Sequence, residues 1–268
     1  MEILEKYKKI IPENTADIGR FSYFCANFGI QKNKTAYGNQ RPIINDPSLD
    51  QCVKNLVDGQ VICLSDSPVA NSFVTNPVAV LKPTTNIQLN KADIRIKKNE
   101  NTLGKCKYRL CLDFRALNSI IIAPSKTILP SLSEIRSFCR GKILSAMDLK
   151  DFFFSIELSS NSQQYTSFYY KKNVYKMLRL GMGMAPSPFF SQNALRMTFD
   201  ESTFVKWKKS LPEGATFPYP SSESIVVTYA DDIIIASDEV HGEEVHMLAL
   251  DYTMHALSKA NLRLNVKK

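Results

Sequence analysis

Ser224-Ile225-Val226-Val227-Thr228-Tyr229-Ala230-Asp231-Asp232-Ile233-Ile234-Ile235-Ala236-Ser237 is the stretch from which the rest of the chain is read. Its two β-branched runs, Ile225 to Thr228 and Ile233 to Ile235, predict two strands. The acidic pair Asp231-Asp232 then lies at the turn of a hairpin. Two anions at the tip of an apolar hairpin repel each other and resist burial unless a cation neutralises them. Turns favour Asp for conformational reasons alone, so the pair gains weight only from a second site. That site is Ala146-Met147-Asp148, at the end of another apolar strand, Ile143 to Met147. Strands delivering Asp148 and Asp231-Asp232 side by side would gather three carboxylates, hard oxygen donors that suit two Mg²⁺ ions. Two such ions, ~4 Å apart, activate an attacking oxygen and stabilise the leaving one in an in-line phosphoryl displacement.

Composition agrees with a polyanionic partner. The 268 residues hold one large or two modest domains, and their formal net charge of +8 favours nucleic acid first. The six cysteines are scattered and none forms a C-x-x-C pair, which points to a reducing compartment and away from zinc. His241, His246 and His255 fall on one predicted helix without zinc-ligand spacing and read as a solvated face. No apolar run approaches the ~20 residues of a membrane span. The start, Met1-Glu2-Ile3-Leu4-Glu5, lacks a signal-peptide pattern.

Along the chain, Ile3, Leu4, Tyr7, Ile10 and Ile11 recur at helical spacing until Pro12. Residues 12–50 suggest no chemistry, with turn signals at Gly38-Asn39 and Asp46-Pro47. Val78 to Leu81 reads as a strand. Lys91 to Lys107 is basic, either a solvated loop or a phosphate-contacting hairpin tip. If the strand at Tyr108 continues, Arg109, Asp113 and Arg115 share one side. Ser131 and Glu134 form a capping box for a helix that ends at Gly141, with Leu132, Ile135, Phe138 and Cys139 as its buried stripe. Tyr165 to Tyr170 and Val174 to Leu178 predict two strands joined at Lys171-Lys172-Asn173. Gly181 to Pro186 is a turn, after which Ser187 as N-cap and Pro188 as first residue open a helix to about Phe199. Residues 200–223 read as a surface insertion. Val245, Leu248, Ala249, Tyr252 and Ala256 predict an amphipathic helix capped near Asn261, and a last strand begins at Asn265.

In this order the motifs resemble reverse transcriptases of the LTR-retrotransposon and retroviral kind. Leu56 to Lys82, with Gly59, Ser67-Pro68 and Val78-Ala79-Val80, looks like that family's opening segment. Arg109 to Asn118, with Asp113-Phe114-Arg115-x-Leu117-Asn118, resembles its fingers motif. Asp148-Leu149-Lys150-Asp151-Phe152-Phe153-Phe154 resembles the first catalytic motif of the palm, and Leu178 to Gln192 the next. Tyr229-Ala230-Asp231-Asp232 is similar to the catalytic hairpin box, and Leu257 to Lys268 to the segment after it. Any one motif is weak; six in order, from about residue 51 to the end, are specific.

The resemblance implies roles. Asp148, Asp231 and Asp232 would be the catalytic, metal-binding carboxylates, with the backbone carbonyl of Leu149 also facing a metal. Arg109 would hold the incoming triphosphate, and Arg115 the template. Phe153 would be the steric gate that excludes a 2′-hydroxyl. Met182 and Gly183 would line the nucleotide pocket. Tyr229, Ser187 and Pro188 would contact template or primer, and Lys268 is a candidate general acid. Lys82 and Lys98 are alternatives for a fingertip lysine. Phe152 stands where relatives usually carry Ala, and the segments 82–108 and 200–223 are longer than in relatives.

The expected architecture is α/β (α+β): a right-hand polymerase with fingers at 41–122 and 156–186 and palm at 123–155 and 187–268. Residues 1–50 would be an N-terminal extension or the start of the fingers; thumb, connection and RNase H are expected to be absent. The palm would be an antiparallel sheet backed by helices at 131–140 and 243–260. The implied activity is RNA-directed DNA polymerisation with two Mg²⁺ (Mn²⁺ as substitute), acting on an RNA or DNA template with primer and dNTPs. The expected setting is part of a larger Pol polyprotein, without a membrane, in a cytoplasmic retroelement particle or the nucleus. Two rivals are a catalytically inactive, reverse-transcriptase-like nucleic-acid-binding scaffold and a palm-type RNA polymerase, against which Phe153 speaks.

Overall fold

The computed structural model describes residues 2–14, 16–35, 43, 45–65, 75–81, 108–122, 124 and 129–265. Gly38-Asn39, Ser67-Pro68, Lys82, Lys98 with the whole basic stretch 91–107, and Lys268 lie outside the described residues. Two compact units emerge: Met1–Ala26, Ala123–Glu157 and Pro186–Lys268 form the first, and Asn27–Ile122 with Leu158–Ala185 the second. Among the described residues the strands are β1 (Ile62–Leu64), β2 (Asn76–Leu81), β3 (Tyr108–Asp113), β4 (Lys142–Asp148), β5 (Phe168–Tyr170), β6 (Asn173–Met177), β7 (Val226–Tyr229) and β8 (Asp232–Asp238).

The first unit is built on an antiparallel sheet of order β4-β8-β7. The apolar run Ile233 to Ala236 occupies the central strand, where Ile233, Ile235 and Ala236 are fully buried. Behind it packs the helix Gly242–Lys259, which buries Ala249, Tyr252, Ala256 and Leu257. Of the three histidines read as a solvated face on one helix, His241 is exposed but precedes the helix, His255 is half-buried and His246 departs from that reading. His246 is buried between strands β4 and β8: its Nε2 pairs with Ser145 Oγ at 2.9 Å and its Nδ1 with Ser237 Oγ at 2.8 Å. Asn261 sits just past the helix with φ +56°, the left-handed geometry that closes a helix C-terminus.

Residues 200–223 are also not a plain surface insertion. Asp200 caps a helix, Glu201–Lys209, by accepting from Thr203 N–H, and that helix buries Phe204 and Trp207. Phe217 and Tyr219 close around them against Tyr252, with the Trp207 and Phe217 rings edge-on at 5.1 Å. Aromatic burial supplies the driving force that the Lys- and Pro-bearing composition hides. The N-terminal residues join this side. Tyr7 and Ile10 are buried, and the carboxylate of Asp251 accepts from Lys6 Nζ (2.7 Å) of the helix Glu2–Lys6, from Tyr7 OH (3.2 Å) and from Trp207 Nε1 (2.8 Å).

Two boundary expectations in this unit shift. The capping box of the helix Leu132–Cys139 forms as read, with Ser131 N–H donating to Glu134 Oε2 at 2.6 Å. Its stripe is not buried, however: Leu132 is 76% exposed, and Ile135, Phe138 and Cys139 are half-covered. The helix has only eight residues and flanks β4, an edge strand, so a core closes over one side of it only. The later helix runs Ser187–Thr198 with Pro186 at the cap position, which makes Ser187 the first helical residue and Pro188 the second. Pro186 already has helical backbone angles and so takes the place expected of Ser187.

The second unit holds a sheet of order β1-β6-β5 and a β2-β3 pair registered from Asn76↔Asp113 to Leu81↔Tyr108. Asp46-Pro47, read as a turn, is a helix start: Asp46 accepts from Ser48 N–H at 2.7 Å and Pro47 opens the helix Pro47–Asp58. The β5–β6 turn lies at Lys171-Lys172, with Lys171 at φ +54°. Strand β3 ends at Asp113, and Arg115 opens a one-turn helix, Arg115–Asn118. Arg115 therefore does not continue the face shared by Arg109 and Asp113; it folds back onto Asp113 through Nε (2.9 Å) and Nη2 (2.6 Å).

Candidate active site

The hairpin β7–β8 closes through the pair Tyr229↔Asp232, leaving Ala230 and Asp231 as its two-residue loop. Ala230 takes φ +55°, as the tight primed turns of hairpins require. In the register of β4 with β8, Asp148 stands directly opposite Asp232. Cα atoms so paired lie about 4.5–5.5 Å apart. One residue on, Leu149 N–H reaches the carbonyl of Asp231 at 3.4 Å. Three carboxylates thus occupy the joined ends of two neighbouring strands. Asp148 and Asp231 are half-buried and Asp232 is exposed, so solvent and ligands can reach them.

Lys150 Nζ donates to the carbonyls of Asn14 (2.8 Å) and Asp17 (2.7 Å). Among the described residues, the recorded ion pairs include neither Asp231 nor Asp232. Asp148 Oδ2 accepts from Asn265 Nδ2 at 2.7 Å. No three His, Cys, Asp or Glu side chains among the described residues already converge on one ligating point. The donor set nevertheless fits Mg²⁺, which keeps several waters and takes one or two carboxylates plus substrate phosphates rather than a preformed protein cage. Like-charged side chains without a cation have no reason to draw together.

The other residues singled out by sequence divide between the units. In the first, Phe152 is buried and Phe153 half-exposed on the one-turn helix Phe152–Ser155, which follows Asp151 at φ +46°. The larger residue in the place of Ala is thus spent on the core. Leu149 is buried, Tyr229 is 38% exposed, Ser187 is buried and Pro188 exposed. In the second unit, Arg109 lies in β3 opposite Val80, and Met182 and Gly183 are exposed on the turn before Met184. That turn is held from below. Asn118 donates to the carbonyl of Gly183 and accepts from Ala185 N–H, both at 2.8 Å. A Cβ on Gly181 would come within 2.8 Å of the Phe114 ring.

Two residues escaped the sequence reading as contributors to these geometries: Asn118, whose place in the fingers-like motif was the only signal, and Asn265, which lay at the start of an expected last strand. Asn265 N–H bonds to the carbonyl of Asp148 at 2.8 Å, Leu149 bridges Leu264, and Lys150 N–H bonds to the carbonyl of Arg263.

The chain spans less than a fifth of the curated relatives it resembles. It is 25% identical over 205 residues to the retrovirus-related Pol polyprotein from transposon gypsy of Drosophila melanogaster, covering 74% of this chain and 18% of that protein. It is 33% identical over 104 residues to the Pol polyprotein from transposon 412 of the same fly, covering 38% of this chain and 8% of that one. Among solved structures, prototype foamy virus protease-reverse transcriptase superposes with a TM-score of 0.70 at 20% identity, over 100% of this chain and 30% of that one. The foamy viral protease-reverse transcriptase in complex with an RNA/DNA hybrid gives 0.68 at 19%, again over 100% of this chain and 30% of that one. These two establish likeness of fold. The family model for reverse transcriptase (RNA-dependent DNA polymerase) matches residues 96–268, which include the hairpin and Asp148. With well over half of its length matched, the chain belongs to the reverse transcriptase family.

Proposed function

We propose that this chain is the polymerase part of a retroelement Pol polyprotein and extends a primer 3′-hydroxyl with deoxynucleotides on an RNA or DNA template. The observation that carries this reading is the register of Asp148 against Asp232, beside the turn that presents Asp231. Asp148 and Asp231 would be the principal ligands of two Mg²⁺ ions, with Asp232 and the carbonyl of Leu149 beside them. Bound there, the ions supply charge neutralisation for an in-line phosphoryl transfer. The strand ends fix the spacing of the carboxylates before substrate arrives, so little reorganisation is left for the reaction.

The first unit serves as palm and the second as fingers. Phe153, half-exposed four residues past Leu149, would screen the sugar; Tyr229 would support the primer end. Arg109, Met182 and Gly183 would contact the nucleotide and Arg115 the template. Ser187 and Pro188 would contact template or primer, Pro188 from its exposed position. Lys268 would serve as general acid.

The test is primer extension on an RNA template by the chain within its full-length protein, with dNTPs and rNTPs in parallel. Asp231→Asn is expected to abolish extension and leave template binding nearly intact. Extension surviving that change refutes the carboxylate assignment. Template binding with no extension by the unmutated chain identifies the inactive scaffold instead, and preference for rNTPs an RNA polymerase.

A further inference from the structure

We propose that Asn265 is a positioning residue for Asp148, holding its carboxylate in the orientation that meets a divalent cation; this rests on the metal-dependent reading above. Two bonds join the same two residues. Asn265 N–H donates to the carbonyl of Asp148 at 2.8 Å, and Asn265 Nδ2 donates to its Oδ2 at 2.7 Å. The first bond fixes where the Asn265 backbone stands, and the second fixes how the Asp148 side chain is turned.

The clamp is itself mounted on a rigid frame. Leu262 and Leu264 on either side of Arg263 are buried, and Leu264 N–H bonds to the carbonyl of Ile10 at 2.8 Å. Arg263 Nε lies 3.0 Å from both carboxylate oxygens of Asp17, and its Nη1 reaches Asn261 Oδ1 at 2.8 Å. Lys150 N–H bonds to the carbonyl of Arg263, so the segment runs antiparallel to the turn leaving β4.

The chemistry of an amide suits this task. A lysine or arginine in its place would neutralise the charge that a cation needs, and a carboxylate would add repulsion. Asn donates without carrying charge, and a carboxylate offers about four lone-pair directions, so one donation leaves the group able to bind a metal. Partners of this kind, one bond removed from the metal, typically change affinity or activity by about 10–100-fold when lost.

The experiment measures Mn²⁺ binding to the 268-residue chain by isothermal titration and by the electron paramagnetic resonance signal of unbound Mn²⁺. Asn265→Ala is expected to weaken Mn²⁺ about 10-fold with little change in the thermal midpoint, because the backbone bond to Asp148 remains. In the extension assay the same variant should need correspondingly more Mg²⁺ at an unchanged KM for primer-template. If Asn265→Ala does not fold, Asn265→Leu, which keeps the shape and lacks the donor, takes its place with the same expectation. Wild-type Mn²⁺ affinity in a folded variant overturns the positioning role and leaves the polymerase reading standing, as does an absence of saturable Mn²⁺ binding while Asp231→Asn still abolishes extension. Extension that survives Asp231→Asn overturns the carboxylate assignment instead, and template binding without extension by the unmutated chain overturns the polymerase reading; the Mn²⁺ titration of Asn265→Ala can produce neither result.

Discussion

Two acid-centred regions of the first unit are built from opposite materials. At one, Asp148 and Asp231 stand half-buried and Asp232 exposed, with Asp148 and Asp232 in direct register. On the helix side, away from the strand tips, Trp207, Phe204 and Tyr252 are almost wholly buried around the carboxylate of Asp251, which has Lys6, Tyr7 and Trp207 as partners. Both regions centre on an acid. The buried one has its donors supplied by the protein, while the exposed cluster leaves room for donors and cations that come with substrate. On the proposed reading, stability is concentrated behind the sheet and reactivity at its tips.

Mutation should separate the two. Trp207→Ala removes a fully buried indole and one of the three donors to Asp251, and is expected to cost about 3–5 kcal/mol of stability, read by urea unfolding. The folded fraction should bind Mn²⁺ as wild type does. A loss of Mn²⁺ affinity at denaturant-free, fully folded conditions would break the separation, by showing that the aromatic side holds the carboxylates in place.

His246 tests the region between them, since it ties the long helix to Ser145 on β4 and Ser237 on β8. Replacing it by Ala strands the buried hydroxyl of Ser237 and the part-buried one of Ser145 and is expected to cost about 1–3 kcal/mol. Burial also lowers its pKa from the ordinary imidazole value. The unfolded chain then binds the proton more readily than the folded one, so the stability contribution is full above about pH 6.5 and falls as pH drops below it. Unfolding curves between pH 5 and 7.5 should show that slope in the wild type and a shallower one in His246→Gln. Equal slopes would remove His246 as the source.

How far the sequence discloses each region follows from the same contrast. The acidic tip announces itself locally: two β-branched runs bracket Asp231-Asp232, and an apolar strand ends at Asp148, so strand identity and acid placement are visible within a dozen residues each. The capping box at Ser131 is equally local. The aromatic side is assembled from residues 7, 204, 207, 217, 219 and 252, whose spacing carries no single period, and the Lys- and Pro-rich composition of 200–223 argues the other way. Asn265 and His246 act through partners 117 and 101 residues distant, Asp148 and Ser145. Arg115 shows the converse failure: alternation projected it onto a strand face, but the strand stops two residues earlier and the side chain turns back to Asp113.

The smallest expected effect has the opposite sign to the others. Asp148 and Asp232 face each other across an antiparallel pair, and like charges so placed destabilise a sheet, with cross-strand pair effects of roughly 0.2–1 kcal/mol. Asp232→Asn removes one charge, leaves the backbone pairing intact and nearly preserves side-chain volume. In metal-free buffer of low ionic strength the variant should therefore be more stable than wild type by a few tenths to about 1 kcal/mol. Salt screens exposed charges within about 10 Å at 0.1 M, so the gain should shrink as NaCl rises. It should also reverse with Mg²⁺, because a cation that binds the folded site stabilises the wild type by mass action and the variant less. Thermal melts of both proteins across NaCl and MgCl₂ series measure all three. A variant less stable than wild type in metal-free, low-salt buffer would mean that Asp232 is anchoring the hairpin rather than straining it, and the acidic tip would then belong to the stabilising part of the molecule.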